Sequence, residues 1–543
     1  MKNRKLKIAG LLIRQLSLFI LAGLILASTA ASSDKAKVSE KQLRSHVEYL
    51  ASPELAGRAA PEPGSELAQK YVAAHFKEYG LKELPGAPGY MQSVPLIVSR
   101  TDYERSRLTI NAGGKITEFI PDKEVFFFPR GGKDSDLTAG VLLAGYGIRA
   151  PEFSYDDFAS ADPKGKFLLI FNREPQEKDT ASIFNGAKPT KYSQPQVKVR
   201  IAREMGALGV LIIQPPNNGL PPIESTLDRY RKTQNDPLIQ LAEERDAFPV
   251  FYLTNNAAGA LLGGFDLSAY QKGIDEKLTG DPRLLNGIEV TLNIRFKETQ
   301  ETTTANVVSY YPGQTDEAVL VLAHHDHIGM SDGVLNPGAD DNASGTAGLL
   351  EMARLFSQSK EKLRRGVIFL STGAEEVGTL GALYFSKHLP IPAEKIAAAL
   401  NMDCIGRDAS TQFRAMQDSI LGPEPNTLMI FYSGQTPVLD SLAQKVNEIT
   451  KLNLIMEPSL HFSGSSDHIH FHDLRIPSMF FFTGFHRDYH TPEDVPNKLN
   501  YEKMTRVVML GYGILADLAQ ISQRPVFDTT IKEVKGTGRK YGG

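Results

Sequence analysis

Two hydrophobic rhythms divide this chain. Over residues 39–81 apolar side chains recur every three or four positions, which predicts two amphipathic helices. The turn between them carries Pro53, Gly57, Pro61, Pro63 and Gly64. Short β-like runs follow to about residue 125, among them 107–111 and 124–128. Between roughly 130 and 285, strands at 140–144, 166–171, 209–213 and 248–253 alternate with helices at 195–205 and 255–262. From about 290, near-continuous apolar runs at 319–323, 366–371, 396–402 and 477–483 alternate with helical stretches such as 344–357 and 380–388. Fully apolar strands separated by helices are the pattern of a parallel sheet covered on both faces. The predicted fold class is therefore α/β: a mostly parallel sheet with helices on both faces, interrupted by a module of mixed β and α structure. A last helix is expected at about 501–519, and no repeat of solenoid spacing is present.

The N-terminus follows a different pattern. Lys2, Arg4, Lys5 and Lys7 precede an apolar stretch at 16–27, and Ser28-Thr29-Ala30 supply small residues for cleavage. Residues 1–31 thus read as an export signal, which places the mature chain in the periplasm or the medium. The apolar run is short for a bilayer, which takes about 20 residues, so no stable membrane span is expected after signal removal. No cysteine follows the run to carry a lipid.

Composition narrows the classes further. Of the 543 residues, 41% are hydrophobic and 23% charged, the balance of a soluble globular protein of several domains. A net charge of −3 gives no reason to expect a nucleic acid or acidic lipid partner. Cys404 is the sole cysteine, so it has no internal disulfide partner and reads as a buried apolar residue rather than a nucleophile.

Candidate chemistry collects at the carboxyl ends of the four apolar strands, where open α/β sheets bind their ligands. The first runs into His324-His325-Asp326-His327, the second leads to Glu375-Glu376, the third ends at Asp403 and the fourth leads to Asp488-Tyr489-His490. Asp340-Asp341 lies in the glycine-rich loop 338–345. Singly, the Asp pair could cap a helix, the Glu pair could be solvated, and His325 and His327 could be loop histidines. Asp403 differs, because a carboxylate ending an apolar strand needs a partner or a metal. Together, mixed imidazole and carboxylate donors suit zinc, cobalt or manganese. Three carboxylates with two imidazoles serve two metals if one Asp bridges, and an adjacent Glu pair supplies one ligand and one general base.

The segments 323–329, 338–345, 373–381, 401–406 and 488–494 resemble, in order, spacing and residue type, the motifs of the co-catalytic zinc aminopeptidases, peptidase family 28 of clan MH. The resemblance implies two zinc ions per chain and hydrolysis of N-terminal residues from peptides with a free N-terminus. It implies His324, Asp340, Glu376, Asp403 and His490 as metal ligands. Asp340 would bridge, with a cis peptide to Asp341. Glu375 would be the general base, Asp326 would orient His324, Tyr489 would bond the oxyanion, and Asp494 would support the ligands. The run Ser465-Ser466-Asp467-His468 also resembles a family motif near the cleft, with a structural loop as the equal alternative. His461, His470, His472 and His486 read as bystanders. The middle segment is similar to a protease-associated domain, through 144–147, 155–157, 165–169 and 206–209. These readings divide the chain into a signal at 1–31, a first catalytic part at 32–129, the insert at 130–285, the main catalytic part at 286–527 and a Gly- and Lys-rich tail at 528–543.

Three other readings fit the same fold. A glutamate carboxypeptidase-like enzyme needs a basic pocket, for which Arg407 is a lone candidate. A glutaminyl cyclase lacks part of the ligand set that is complete here, and a receptor on a decayed site would have lost ligands or base. The preferred N-terminal residue and the oligomeric state are not legible in the sequence.

Overall fold

Ala318–His324 (β1), Gly366–Thr372 (β2), Ile396–Met402 (β3) and Ser478–Phe482 (β4) are buried along their whole length. Their backbone amides and carbonyls are out of reach of water and must pair within a sheet. In the computed structural model these four strands lie side by side and parallel, in the order β2-β1-β3-β4. The model describes residues 37–531 apart from 122–123, 128–131, 185, 187–188, 226–236, 245–247, 360, 409–424 and 461–465. The expected signal, His461, Ser465 and all but 528–531 of the tail lie outside the described residues.

The four strands are the centre of a nine-stranded sheet in the body that begins at Ser39. On one side Phe296–Tyr311, Met91–Thr101 and Leu238–Leu241 add on antiparallel, and on the other Thr427–Tyr432 pairs antiparallel with β4 and parallel with Asn453–Glu457. The α/β class stands, with a parallel centre and antiparallel flanks. Consecutive residues of β2 show how both faces are covered. Leu370 packs with Ala382 and Phe385 of Leu380–Lys387 and Phe471 of His468–Asp473. Phe369 faces the other way, against Phe76 of Pro63–Glu78 and Phe356 of Gly345–Gln358.

A second sheet of eight strands has its own apolar core. Its centre is again parallel, from Ser135–Leu143 through Phe167–Phe171 and Gly209–Ile213 to Val250–Leu253. It reaches outside the 130–285 segment, because Arg107–Ala112 pairs antiparallel with Arg283–Ile294. Conversely, Leu238–Leu241 leaves that segment to pair with the edge of the first sheet. No helix among the described residues is long and apolar enough to cross a membrane.

Candidate metal centre

Parallel strands deliver their carboxyl ends to one edge of the sheet, so residues far apart in sequence meet there. His324 closes β1, Asp403 follows β3, and Glu375 and Glu376 stand just past β2. The turn Ala339–Ser344 supplies the acidic pair, with Asp341 and Asn342 out of helical backbone geometry and the Asp341–Asn342 peptide cis. Gly338 enters this turn at φ +58°, and a Cβ there would lie 2.4 Å from His327 Cδ2, so only glycine fits.

Two donor groups form at this edge among the described residues: His324, Asp341 and Asp403, and His327, Asp341, Glu376 and His490. In the first, His324 Nε2 stands 3.3 Å from Asp341 Oδ1 and 3.3 Å from Asp403 Oδ1. In the second, His490 Nε2 stands 3.0 Å from Asp341 Oδ2 and 3.2 Å from Glu376 Oε2. Two donors 2.0–2.1 Å from one tetrahedral zinc lie about 3.3 Å apart, so both spacings suit ligands that share an ion. His324 Nδ1 donates to the Asp326 carbonyl at 3.2 Å, which leaves Nε2 bare, buried and without a hydrogen-bond partner. A buried, orphaned imidazole nitrogen facing two carboxylates fits a metal ion.

The register differs by one residue from the sequence expectation. Asp341, not Asp340, is the carboxylate common to both groups, and the cis bond follows Asp341 rather than preceding it. Asp340 points away: Oδ1 accepts from the Gly406 amide at 2.7 Å, and Oδ2 lies 3.3 Å from His486 Nε2. Neighbouring side chains in an irregular turn project in different directions, and the turn's local φ/ψ decides which one faces the strand ends. Asp326 also differs in its contacts. Its carboxylate accepts from the amides of Glu375 at 3.0 Å and Glu376 at 3.3 Å, whereas it stays 3.8 Å from His324 Nδ1. It holds the Glu pair, and its backbone orients the imidazole. Glu375 belongs to neither group, with Oε2 4.0 Å from His324 Nε2. The Tyr489 ring stacks on His490 at 3.8 Å. Asp494 accepts from the Asp340 amide at 3.0 Å and the Asp341 amide at 3.1 Å, and so clamps the turn.

The field of this site is strongly negative. Burial opposes charge on His324 and His490, yet the carboxylates around them win: His324 rises well above the usual imidazole range and His490 to about 10. Burial would raise Asp341, but the close imidazoles of His324 and His490 hold it well below the carboxylate range. Burial, reinforced by Asp403, Asp467 and Glu376 against the pull of His324, pushes Glu375 well above that range. Burial likewise lifts Asp326 to about 6 and, helped by Asp341 and Glu376, drives the Tyr489 phenol far upward, so it stays protonated. A field that favours imidazolium this strongly is one that a divalent cation suits.

Four further residues join the site. Ser466 donates to Asp403 Oδ2 at 2.9 Å and accepts from Asn401 Nδ2 at 2.8 Å, and buried Asp467 accepts from the Thr372 hydroxyl. The 465–468 run had signalled these two. His327, read as a possible loop histidine, donates from Nδ1 to Glu376 Oε1 at 2.7 Å. Arg58 carried no signal beyond its place in a Gly- and Ala-rich turn. Its guanidinium, 0% exposed, donates to the carbonyls of His325 at 2.9 Å, Pro337 at 2.7 Å, Gly338 at 2.8 Å and also Leu50. It ties both ligand-bearing loops to the N-terminal segment. Cys404 is buried, as expected, and burial raises its thiol well above the usual range. His470 bonds Thr379, and His472 bonds Ser433.

Comparison with known proteins bears on the same stretch. The model of peptidase family M28 matches residues 306–512, which hold every member of both donor groups. The uncharacterized protein YfbL of Escherichia coli (strain K12) is 30% identical over 224 residues, 37% of this chain and 68% of that protein. The chain belongs to peptidase family M28. Aminopeptidase YwaD of Bacillus subtilis (strain 168) is 30% identical over 218 residues, 38% of this chain and 43% of YwaD, so the match spans less than half of that relative. Among solved structures, an aminopeptidase from Aneurinibacillus sp. strain AM-1 aligns over 90% of this chain and 96% of its own, at 20% identity and a TM-score of 0.47. The matched M28 region excludes Arg58 and all of the second sheet, which ends at Ile294.

Proposed function

We propose that this M28 chain is an exported aminopeptidase that removes N-terminal residues from peptides, using two zinc ions and Glu375 as general base. The observation that carries this reading is Asp341, whose two oxygens face different donor groups at 3.3 and 3.0 Å. His324, Asp403 and Asp341 would hold one ion, and Glu376, His490 and Asp341 the other. When bound, such ions supply Lewis acidity to a peptide carbonyl and a nucleophilic water near neutral pH. Glu375 stands beside the first group without joining it, and its raised proton affinity suits a residue that takes a proton and hands it to the leaving amine. Tyr489, held protonated, can donate to the oxyanion. Asp326 keeps the Glu pair in place through its two amide contacts. The negative field of the site favours a substrate that presents a free α-ammonium. The name of YwaD, an aminopeptidase, supports the same activity.

The 130–285 segment is read as a protease-associated domain that narrows the approach to the site, by analogy of fold, and residues 1–31 as the export signal. The carboxypeptidase alternative loses its basic pocket, because Arg407 is committed to Asp488 at 2.6 Å with Asp494 at 3.9 Å.

Hydrolysis of a panel of aminoacyl-nitroanilides by the purified mature chain tests the proposal, with and without chelator and added zinc. Release that chelator abolishes, zinc restores and N-acetylation blocks is the expected result. A zinc-loaded chain that cleaves none of the free-amine substrates would overturn it.

A further inference from the structure

Both oxygens of the shared Asp341 face donor groups, and Glu376 shows how the second group is set. Its Oε2 lies 3.2 Å from His490 Nε2, within the spacing of two ligands on one ion. Its Oε1 turns the other way and accepts from His327 Nδ1 at 2.7 Å. That separation is shorter than the roughly 3.3 Å expected between two donors on one tetrahedral zinc. It matches a charge-assisted N–H···O⁻ bond, for which about 2.7–2.9 Å is usual. His327 Nδ1 is also 3.7 Å from Asp341 Oδ2, too far to close a regular set of four around an ion.

The ring itself has no room to turn. His327 is 1% exposed, its Cδ2 and Cγ lie where a Cβ on Gly338 would stand, and its ring meets the His490 ring at 5.5 Å in a T-shaped contact. The His327 amide donates to the Arg58 carbonyl, so the backbone beneath the ring is pinned as well. Nε2 is buried without a hydrogen-bond partner, which leaves Nδ1 as the one ring nitrogen with work to do.

We propose that His327 is a positioning residue for the second metal. Its Nδ1–H holds Glu376 Oε1, so that Oε2 faces the ion together with His490 and Asp341. This inference rests on the two-zinc reading above and deepens it. His327 does not ligate. It fixes which carboxylate oxygen does, and so sets the affinity of one of the two ions.

Zinc titration of the full metal-free chain, read by calorimetry or a competing indicator, separates the possibilities. The wild-type chain is expected to bind two ions. In His327→Ala one of the two should lose about 10–100-fold in affinity, the usual cost of removing a partner of a ligand, while the other is unchanged. His327→Asn places an amide N–H where Nδ1 stood and should recover most of that loss. His327→Gln, whose amide reaches the Nε2 position, should not. Thermal melting of the metal-free variants reports folding, and if His327→Ala does not fold, Asn against Gln still decides. Two ions bound by His327→Ala at wild-type affinity would overturn the proposal. So would His327→Asn as weak as His327→Ala at an unchanged melting temperature, which would point to direct ligation. A wild-type chain that takes up fewer than two ions would overturn the two-zinc reading itself, a result distinct from either.

Discussion

The two sheets have the same parallel centre but bury their charged groups in opposite ways. Beside the second sheet, Lys198 of the helix Pro195–Glu204 donates to the carbonyls of Phe171 at 2.8 Å and of Arg173. Asp157 accepts from the amides of Tyr146 and Ile148 and from the Tyr155 hydroxyl, and Glu174 accepts from both donors of Thr190. None of these three residues has a buried polar atom without a partner. At the strand ends of the first sheet, buried His324 Nε2 lacks one while it faces the carboxylates of Asp341 and Asp403. Burial and displaced pKa values occur in both places: Lys198 falls to about 7 and Asp157 rises to about 7, each through burial first. A displaced pKa therefore does not distinguish a binding site from a structural network. Donors and acceptors left open toward one point do, because an unmet buried polar group costs about 1–3 kcal/mol unless a ligand meets it.

The largest effect should come from the base. Glu375→Gln keeps the shape and both donor groups, so zinc content should hold while turnover falls by about 10²–10⁴-fold, as measured on the best nitroanilide substrate. Substantial residual turnover would return Glu375 to the structural class. The register of the acidic pair gives the next contrast. Asp341→Asn removes a charged donor from both groups and should sharply weaken binding of both ions. Asp340→Asn should leave metal content near that of the wild type. Metal analysis after dialysis of the two variants decides between them, and the reverse order would restore Asp340 as the bridge.

Lys198→Met sharpens the comparison from the other side. It leaves the buried Phe171 carbonyl and the partly buried Arg173 carbonyl without this donor and should cost about 3 kcal/mol of stability by denaturant unfolding. Zinc affinity and turnover should not change, since the network is closed on itself. The smallest effect concerns pH and a third buried group. His46 sits between the hydroxyls of Tyr71 at 2.8 Å and Tyr79 at 3.4 Å, and burial, then His75, lowers it from 6.5 to about 3. The unfolded chain binds this proton below pH 6.5 and the folded chain does not. Stability is thus fully present above pH 6.5 and is lost as pH falls toward 3, by about 2 kcal/mol between pH 7 and 5. Thermal unfolding of the metal-free chain across that range should be steeper for the wild type than for His46→Asn. Equal slopes would show that the imidazole is not held neutral.

What was legible in sequence is what depends on short range. The runs at 319–323, 366–371, 396–402 and 477–483 mark β1 to β4 because a strand buried on both faces has no polar position to spare. The acids and histidines just past those runs mark the two donor groups because parallel strands must bring their carboxyl ends together. The helix Val438–Thr450 and the antiparallel flank Phe296–Tyr311 gave weaker patterns, being only partly buried, and were not anticipated.

Tertiary structure alone decided four things. The choice of Asp341 over Asp340 rests on the φ/ψ of one turn, where a step of one residue changes which side chain faces the site. Arg58 matters through four carbonyls, one nearby at Leu50 and three in the distant segments at His325 and Pro337–Gly338, a convergence that no local spacing encodes. The roles of His327 and Asp326 depend on which nitrogen or oxygen meets which partner, and identical residue types offer both options. Membership of the second sheet was also settled at long range, since Arg107–Ala112 finds its partner some 180 residues on, in Arg283–Ile294. Hydrophobic pattern is a property of neighbours along the chain and survives in the sequence. Hydrogen-bond partnership and sheet membership belong to neighbours in space, and they exist only once the chain has folded.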